Sequence, residues 1–245
     1  MDARFRVWRS EPGGAGALKE YKTSVSEGMV VLDAVHRIQA EQAPDLAVRW
    51  NCKAGKCGSC SAEINGKPRL MCMARLSTLD LNEPVTIEPM KTFPLIKDLV
   101  TDVSWNFAVK KTIQKFKARK PDAPDGTWRK SQKDIDRIQE HRKCIECFLC
   151  QDVCHVLRDH GKHDEFIGPR FFVYAAQLEM NPLDTADRVS DIKNKHNIGY
   201  CNITKCCTVV CPEHIKITDN AIIPLKERVV DRFYDPLTRL LRVFK

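Results

Sequence analysis

The chain has 245 residues, 40 Lys and Arg against 32 Asp and Glu, a formal net charge of +8 and twelve cysteines. That length accommodates one large domain or two of ordinary size, and two well separated groups of cysteines favour two. The cysteines fall in CxxC-type groups with no apolar signal region ahead of them, which argues against a secreted disulfide scaffold and for a reducing compartment. No segment approaches the run of about 20 apolar residues that a membrane span needs, so a soluble or peripheral protein is expected.

In chain order, residues 3–9 (ARFRVWR) alternate as a half-buried strand does, and EPGGAG supplies turn chemistry before a second strand near residues 19–25. A hairpin follows from these two. Val31, Leu32, Val35 and Ile38 recur at helical spacing within residues 30–42, with Ser26 or Glu27 near the start and Pro44 beyond the end. This is an amphipathic helix suited to packing on a sheet. Further short strands are expected around residues 61–64, 69–72 and 85–88, completing a small α+β domain.

Within it, NCKAGKCGSC sets Cys52, Cys57 and Cys60 at C-x4-C-x2-C, with Cys72 twelve residues on. That is the plant-type spacing of a [2Fe-2S] cluster. A loop wrapped around a cluster must turn backbone N–H groups toward sulfur, and Gly55 and Gly58 permit conformations that a Cβ obstructs. A zinc ribbon is the rival reading, but zinc sites usually use two short cysteine pairs.

Beyond Met90 the character changes. Leu99, Val103 and Phe107, with apolar residues at about every fourth position afterwards, predict a linking helix through residue 116, and KARKPDAPDG reads as an exposed loop. Residues 110–143 hold twelve Lys or Arg against five Asp or Glu, most of the excess charge. A basic face can meet anionic lipid, an acidic protein or nucleic acid, or simply be solvated. Stacking aromatics are not interleaved with it, so nucleic acid is not expected. Helices are predicted over residues 132–141, 170–179 and 221–230. The fold class is thus α+β: a plant-type ferredoxin-like (β-grasp) domain over residues 1–105, then an all-α, bacterial-type ferredoxin-like domain over residues 106–245.

The second domain contains CIECFLCQDVC, with Cys144, Cys147, Cys150 and Cys154 at C-x2-C-x2-C-x3-C. In bacterial-type ferredoxins the fourth cysteine of such a run serves a second cluster, so a partner run is required. YCNITKCCTVVCP provides it, aligning Cys201, Thr204, Cys207, Cys211 and Pro212 to the same template, with threonine in the second position. The division that follows gives Cys144, Cys147, Cys150 and Cys211 to a [4Fe-4S] cluster. Cys154, Cys201 and Cys207 are left for a cluster short of one iron, a [3Fe-4S]. Cys206 remains over, as a buried thiol or an opportunistic ligand. His155 stands where this motif usually has proline and must adjoin a cluster. The tail DPLTRLLRVFK reads as a basic amphipathic segment, for docking or for packing.

With all three groups in place the chain resembles the iron–sulfur subunit of succinate dehydrogenase and fumarate reductase. The resemblance runs from the Cys52–Cys72 group, ending in GKPRLMC, through the linker to both later runs. It implies the same eleven cluster ligands, three clusters in a row, a flavoprotein partner holding FAD, a membrane-anchor partner, and a quinone as final acceptor. It places the chain peripherally on the cytoplasmic or matrix face of an energy-transducing membrane. It also brings His155 and Asn202, each directly after a ligand of the [3Fe-4S] cluster, to the quinone site. The family's proline after the fourth cysteine and its tryptophan pair are absent here, where VLRD follows His155, which points to a different quinone such as menaquinone, to a shifted pocket, or to further carriers in the membrane subunit. The chain lacks a GxGxxG fingerprint for a flavin, so the substrate chemistry belongs to a partner and no catalytic residue is expected in this chain. Other readings are fumarate reduction, service to another flavin or molybdenum dehydrogenase, a free-standing ferredoxin, and a zinc-dependent nucleic-acid module.

Overall fold

A computed structural model describes residues 2–236. The basic tail therefore lies, after its first two residues, outside the described residues. The strands are β1 (Asp2–Ser10), β2 (Gly16–Ser24), β3 (Ser61–Ile64), β4 (Lys67–Leu70), β5 (Val85–Glu88), β6 (Leu95–Lys97) and β7 (Val100–Thr101). The α-helices are α1 (Val31–Glu41), α2 (Ser104–Thr112), α3 (Gln132–Gln139), α4 (Leu149–Asp152), α5 (His155–Arg158), α6 (Pro169–Glu179), α7 (Val189–Asn194), α8 (Cys206–Val209) and α9 (Ile223–Phe233). None of the described helices is long and apolar enough to cross a membrane. Two compact units emerge: Met1–Ser104 with Ile145–Val153, and Trp105–Cys144 with Cys154–Lys245.

The first unit is a five-stranded sheet in the order β2-β1-β5-β3-β4. β1 and β2 form the expected antiparallel hairpin, with Phe5 opposite Tyr21, while β1 runs parallel to β5. The alternation in β1 buries Ala3, Phe5 and Val7, and α1 buries Val31, Leu32, Ala34, Val35 and Ile38. Each large apolar side chain so buried contributes about 1.5–3 kcal/mol. The helix starts later than Ser26 or Glu27 would have it. Its N-cap is Val30, whose N–H donates to the Asp33 carboxylate at 3.0 Å. β3 and β4 are joined by Asn65-Gly66, both at positive φ (49° and 71°), as a two-residue hairpin turn requires.

The linking helix is shorter than its periodicity suggests. Leu99 and Val103 precede α2, in and after the β6–β7 ladder, and Phe107 is half exposed at 50%. Asp98 is the cause. At φ 49° and fully buried, its carboxylate accepts from the Ser10 N–H (2.8 Å), the Ala47 N–H (2.8 Å) and Arg9 Nε (3.1 Å). A carboxylate satisfied by three donors holds the turn in place of a helical register.

Residues 145–153 return to the first unit by several bonds. Ser61 Oγ donates to the Cys147 carbonyl at 2.8 Å, the Thr92 N–H donates to Asp152 Oδ1 at 3.1 Å, and Thr92 Oγ1 donates to the Asp152 carbonyl at 2.9 Å. Phe93 meets Phe148 edge-on at 6.3 Å between ring centroids.

In the second unit α6 is the central helix, burying Phe171, Phe172, Val173 and Ala176, with Phe166, Ile192, Ile222 and Leu225 also in the core. α3 is capped by Ser131, whose Oγ accepts the Asp134 N–H. A π-helical turn, Ile217–Ile222, leads directly into α9. A β-bridge joins Ala118 to Asp184. Nearby, buried Arg188 donates to the Gln114 and Lys115 carbonyls and to Asp184 Oδ2, each at 2.8 Å. These bonds tie the segment after α2 to the chain entering α7.

Candidate metal centres

In the first unit the loop after α1 carries Cys52, Cys57 and Cys60, and Cys72 follows β4. Cys60 and Cys72 are buried, and Cys52 and Cys57 are half-buried. The loop turns amides toward sulfur: the Ala54 and Lys56 N–H groups donate to Cys52 Sγ at 3.4 and 3.3 Å. Lys53, Gly55 and Gly58 all have positive φ, which lets the chain curl tightly enough to do this. Gly58 is required twice over. Its φ is +70°, and a Cβ there would stand 2.5 Å from the Cys147 Cα.

Two of the thiols, Cys57 and Cys60, are shifted by their neighbours. Burial opposes ionisation of Cys57, but hydrogen bonds from Cys52 and Ser59 outweigh it and bring this thiol down to about 6. Burial, joined by the neighbouring Cys72 and Cys57, pushes Cys60 up to about 12. A loop that offers amides to Cys52 sulfur, favours the Cys57 thiolate and makes the buried Cys60 thiolate costly without a cation beside it fits an iron–sulfur centre.

The two later runs share one local backbone design. Cys144 and Cys201 each follow a 3-10 turn, with nearly identical extended dihedrals (φ −64°, ψ 117° and φ −73°, ψ 116°). Two residues on, Glu146 and Ile203 take positive φ (55° and 61°), and four residues on, so do Phe148 and Lys205 (61° and 62°). Each of the latter then caps a single helical turn, α4 or α8, in which Cys150 and Cys207 hold the same place. Through this correspondence Thr204 falls where the first run has Cys147. The sequence template had aligned the same pair from spacing alone.

Cys147 and Cys150 are buried in the first unit. In the second unit, Cys211 is pushed up by burial and by the neighbouring Cys144 and Glu213, and its Sγ accepts the Ile215 N–H at 3.4 Å. Cys154 and Cys207 are also buried. Burial, with Cys206 and Cys207 nearby, raises Cys154 to about 12. Burial, with Cys206 and Cys201 nearby, raises Cys207 to about 11 despite a hydrogen bond from Thr218.

Cys154, Cys201 and Cys207 line one cavity together with His155, Thr204, Cys206 and Thr218. Several cysteines facing one cavity are the donor type an iron–sulfur cluster takes. Cys206 is half-buried instead of buried, and its Sγ lies 3.2 Å from Thr204 Oγ1 on the cavity wall. His155 lines the cavity, whereas Asn202 is exposed and lies outside its lining. Thr218 is the residue that spacing could not find. It lies eleven positions beyond Cys207 and reaches the sulfur only because the π-helical turn folds back on α8.

Residues 4–108 match the family of the 2Fe-2S iron-sulfur cluster binding domain, and residues 140–215 that of the 4Fe-4S dicluster domain. The fumarate reductase iron-sulfur subunit of Haemophilus influenzae is 30% identical over 218 residues, covering 81% of each chain. The succinate dehydrogenase iron-sulfur subunit of Paracoccus denitrificans is 28% identical over 234 residues, 94% of this chain and 88% of the relative. In the solved structure of the Mycobacterium smegmatis Sdh1 complex in the apo form, one chain superposes with a TM-score of 0.92 at 59% identity, covering 96% of this chain and 98% of that one. With a [2Fe-2S] domain followed by a dicluster domain, and with relatives matched over most of their length, the chain belongs to the family of succinate dehydrogenase and fumarate reductase iron–sulfur subunits.

Proposed function

We propose that this subunit carries electrons, in the succinate-oxidising direction, from the FAD of a flavoprotein partner to a quinone held with a membrane-anchor partner. Cys52, Cys57, Cys60 and Cys72 hold the [2Fe-2S] cluster, and Cys144, Cys147, Cys150 and Cys211 the [4Fe-4S]. Cys154, Cys201 and Cys207 hold the [3Fe-4S]. When bound, the clusters supply one-electron redox centres. This chain's residues fix their positions, exclude water from the buried thiolates and tune them by hydrogen bonds to sulfur. The observation that carries the reading is the shared backbone of the two later runs, because it sets the non-ligating Thr204 in the slot of Cys147.

The donor end is the plant-type loop, and the quinone end is the cavity at Cys154, Cys201 and Cys207. His155, on the wall of that cavity, faces the quinone in this reading, Asn202, exposed directly after Cys201, belongs to the same end, and menaquinone is the quinone favoured by the missing tryptophan pair. Such a subunit sits peripherally on the cytoplasmic or matrix face of its membrane.

The test is the cofactor and subunit content of the complex isolated in mild detergent. Expected are a covalently or tightly held flavin in one partner, a hydrophobic anchor, acid-labile sulfide, and an EPR signal of an oxidised three-iron cluster. Zinc without sulfide, or two four-iron centres and no three-iron signal, would overturn the assignment. For the quinone end, His155→Ala should impair quinone reduction while sparing succinate oxidation with an artificial flavin-level acceptor. Unchanged quinone kinetics would remove His155 from that site.

A further inference from the structure

A hydrogen-bond chain runs from Thr208 through Thr218, on the cavity wall, to Cys207, and its direction follows from donor count. Thr218 is only 1% exposed. Its N–H donates to Thr208 Oγ1 at 3.0 Å, and Thr208 Oγ1 donates to Thr218 Oγ1 at 3.1 Å. Each hydroxyl has one proton to give. Since Thr208 spends its own on Thr218, the Thr218 hydroxyl proton is left for Cys207 Sγ, 3.5 Å away. A cluster-bound cysteine is a thiolate and accepts only, so the bond has one polarity.

We infer that Thr218 is a positioning residue that directs a single O–H at the Cys207 thiolate and thereby raises the reduction potential of the cluster held there, with Thr208 orienting the hydroxyl. Hydrogen bonds to sulfur are among the determinants of cluster potential, and they favour the reduced, more negative state. The placement suits a terminal carrier that must accept electrons readily. The π-helical turn serves this purpose: widening the helix at Ile217–Ile222 brings Thr218 back against α8. In the first run the position of Thr208 is held by Gln151, so this threonine pair is a feature of the second run alone.

The inference rests on the proposed assignment of Cys207 as a ligand, and the two can fail separately. Wild-type EPR and cluster content decide the assignment; the difference in potential between wild type and variants decides the role of Thr218. The experiment is an EPR-monitored redox titration of the whole complex carrying Thr218→Val, Thr218→Ser or Thr208→Val. Valine keeps the shape and removes the hydroxyl.

With a full complement of clusters, Thr218→Val should make reduction of the terminal cluster about tenfold less favourable, a shift of about 59 mV to lower potential for one electron. Thr218→Ser should restore the wild-type value, and the [2Fe-2S] potential should stay constant in all three proteins. Thr208→Val should shift the terminal cluster in the same direction by a smaller amount. An unchanged potential in cluster-replete Thr218→Val would overturn the inference, as would a serine variant that behaves like the valine one. If Thr218→Val fails to retain the cluster, Thr208→Val decides, and absence of a shift there overturns the inference equally.

Discussion

The runs at residues 144–154 and 201–211 are two copies of one backbone with different side chains at a single key corner. Positive φ occurs at the same two offsets in both, at Glu146 and Phe148 and at Ile203 and Lys205, followed by the same single helical turn. The hydrogen bonds of that turn also correspond: Gln151 and Asp152 N–H groups donate to the Phe148 carbonyl, as Thr208 and Val209 N–H groups do to that of Lys205. The corner itself is Cys147 in one and Thr204 in the other. The comparison teaches that two runs with different turn residues adopt one backbone cradle, and that at the Cys147/Thr204 corner they differ by a thiol donor. A hydroxyl is a poor replacement for thiolate at such iron, so the same cradle is compatible with a four-iron or a three-iron cluster.

The strongest way to break that comparison is to equalise the corners. Thr204→Cys should abolish most of the oxidised three-iron EPR signal in favour of a reducible four-iron centre, with slower electron delivery to quinone. Persistence of the full signal would mean that the two runs are not equivalent at this position.

A second test contrasts the runs with the plant-type loop, which meets its positive φ at Gly55 and Gly58 with glycine. Gly58→Ala should cost about 1–2 kcal/mol for the left-handed backbone and about 1–3 kcal/mol for overpacking against Cys147. Thermal unfolding of the assembled complex should fall measurably, with loss of the [2Fe-2S] spectrum first. A wild-type melting temperature would show that the loop relaxes away from Cys147 without penalty.

Cys206 sharpens the comparison at the corner itself, since its sulfur lies 3.2 Å from Thr204 Oγ1. Cys206→Ser should leave cluster content and EPR signals as in wild type. If the native protein instead holds two four-iron centres and this substitution converts one of them, Cys206 is the missing fourth ligand.

The smallest effect is expected from Lys205→Gly. Glycine relieves about 1 kcal/mol of left-handed strain, and the exposed ion pair of Lys205 with Asp219 at 2.6 Å is worth about 0–1 kcal/mol. The net change in stability should stay within about 1 kcal/mol, readable as a near-constant melting temperature. A large loss would show that Lys205 does more than cap α8.

Much of this protein is determined by local sequence. The three cysteine spacings, the threonine in the second run, the β1–β2 hairpin and α1 each depend on neighbours a few positions apart: ligand spacing, turn residues and apolar periodicity are short-range properties of the chain. Tertiary structure decided what depends on distant partners. The four bonds that satisfy Asp98, three into its carboxylate and one from its N–H to Ser10 Oγ, come from residues 9, 10 and 47, and they end the apparent helical repeat before α2. Residues 145–153 look continuous with the helical half of the chain, yet Ser61, Thr92 and Phe93 bind them to the first unit. Thr218 has no motif around it, and only the π-helical turn brings its hydroxyl to Cys207. Cysteine spacing is legible in a sequence because it is a local property of the chain. A group such as the Thr218 hydroxyl, which meets a cysteine sulfur, need only be near in space, and proximity is decided by packing.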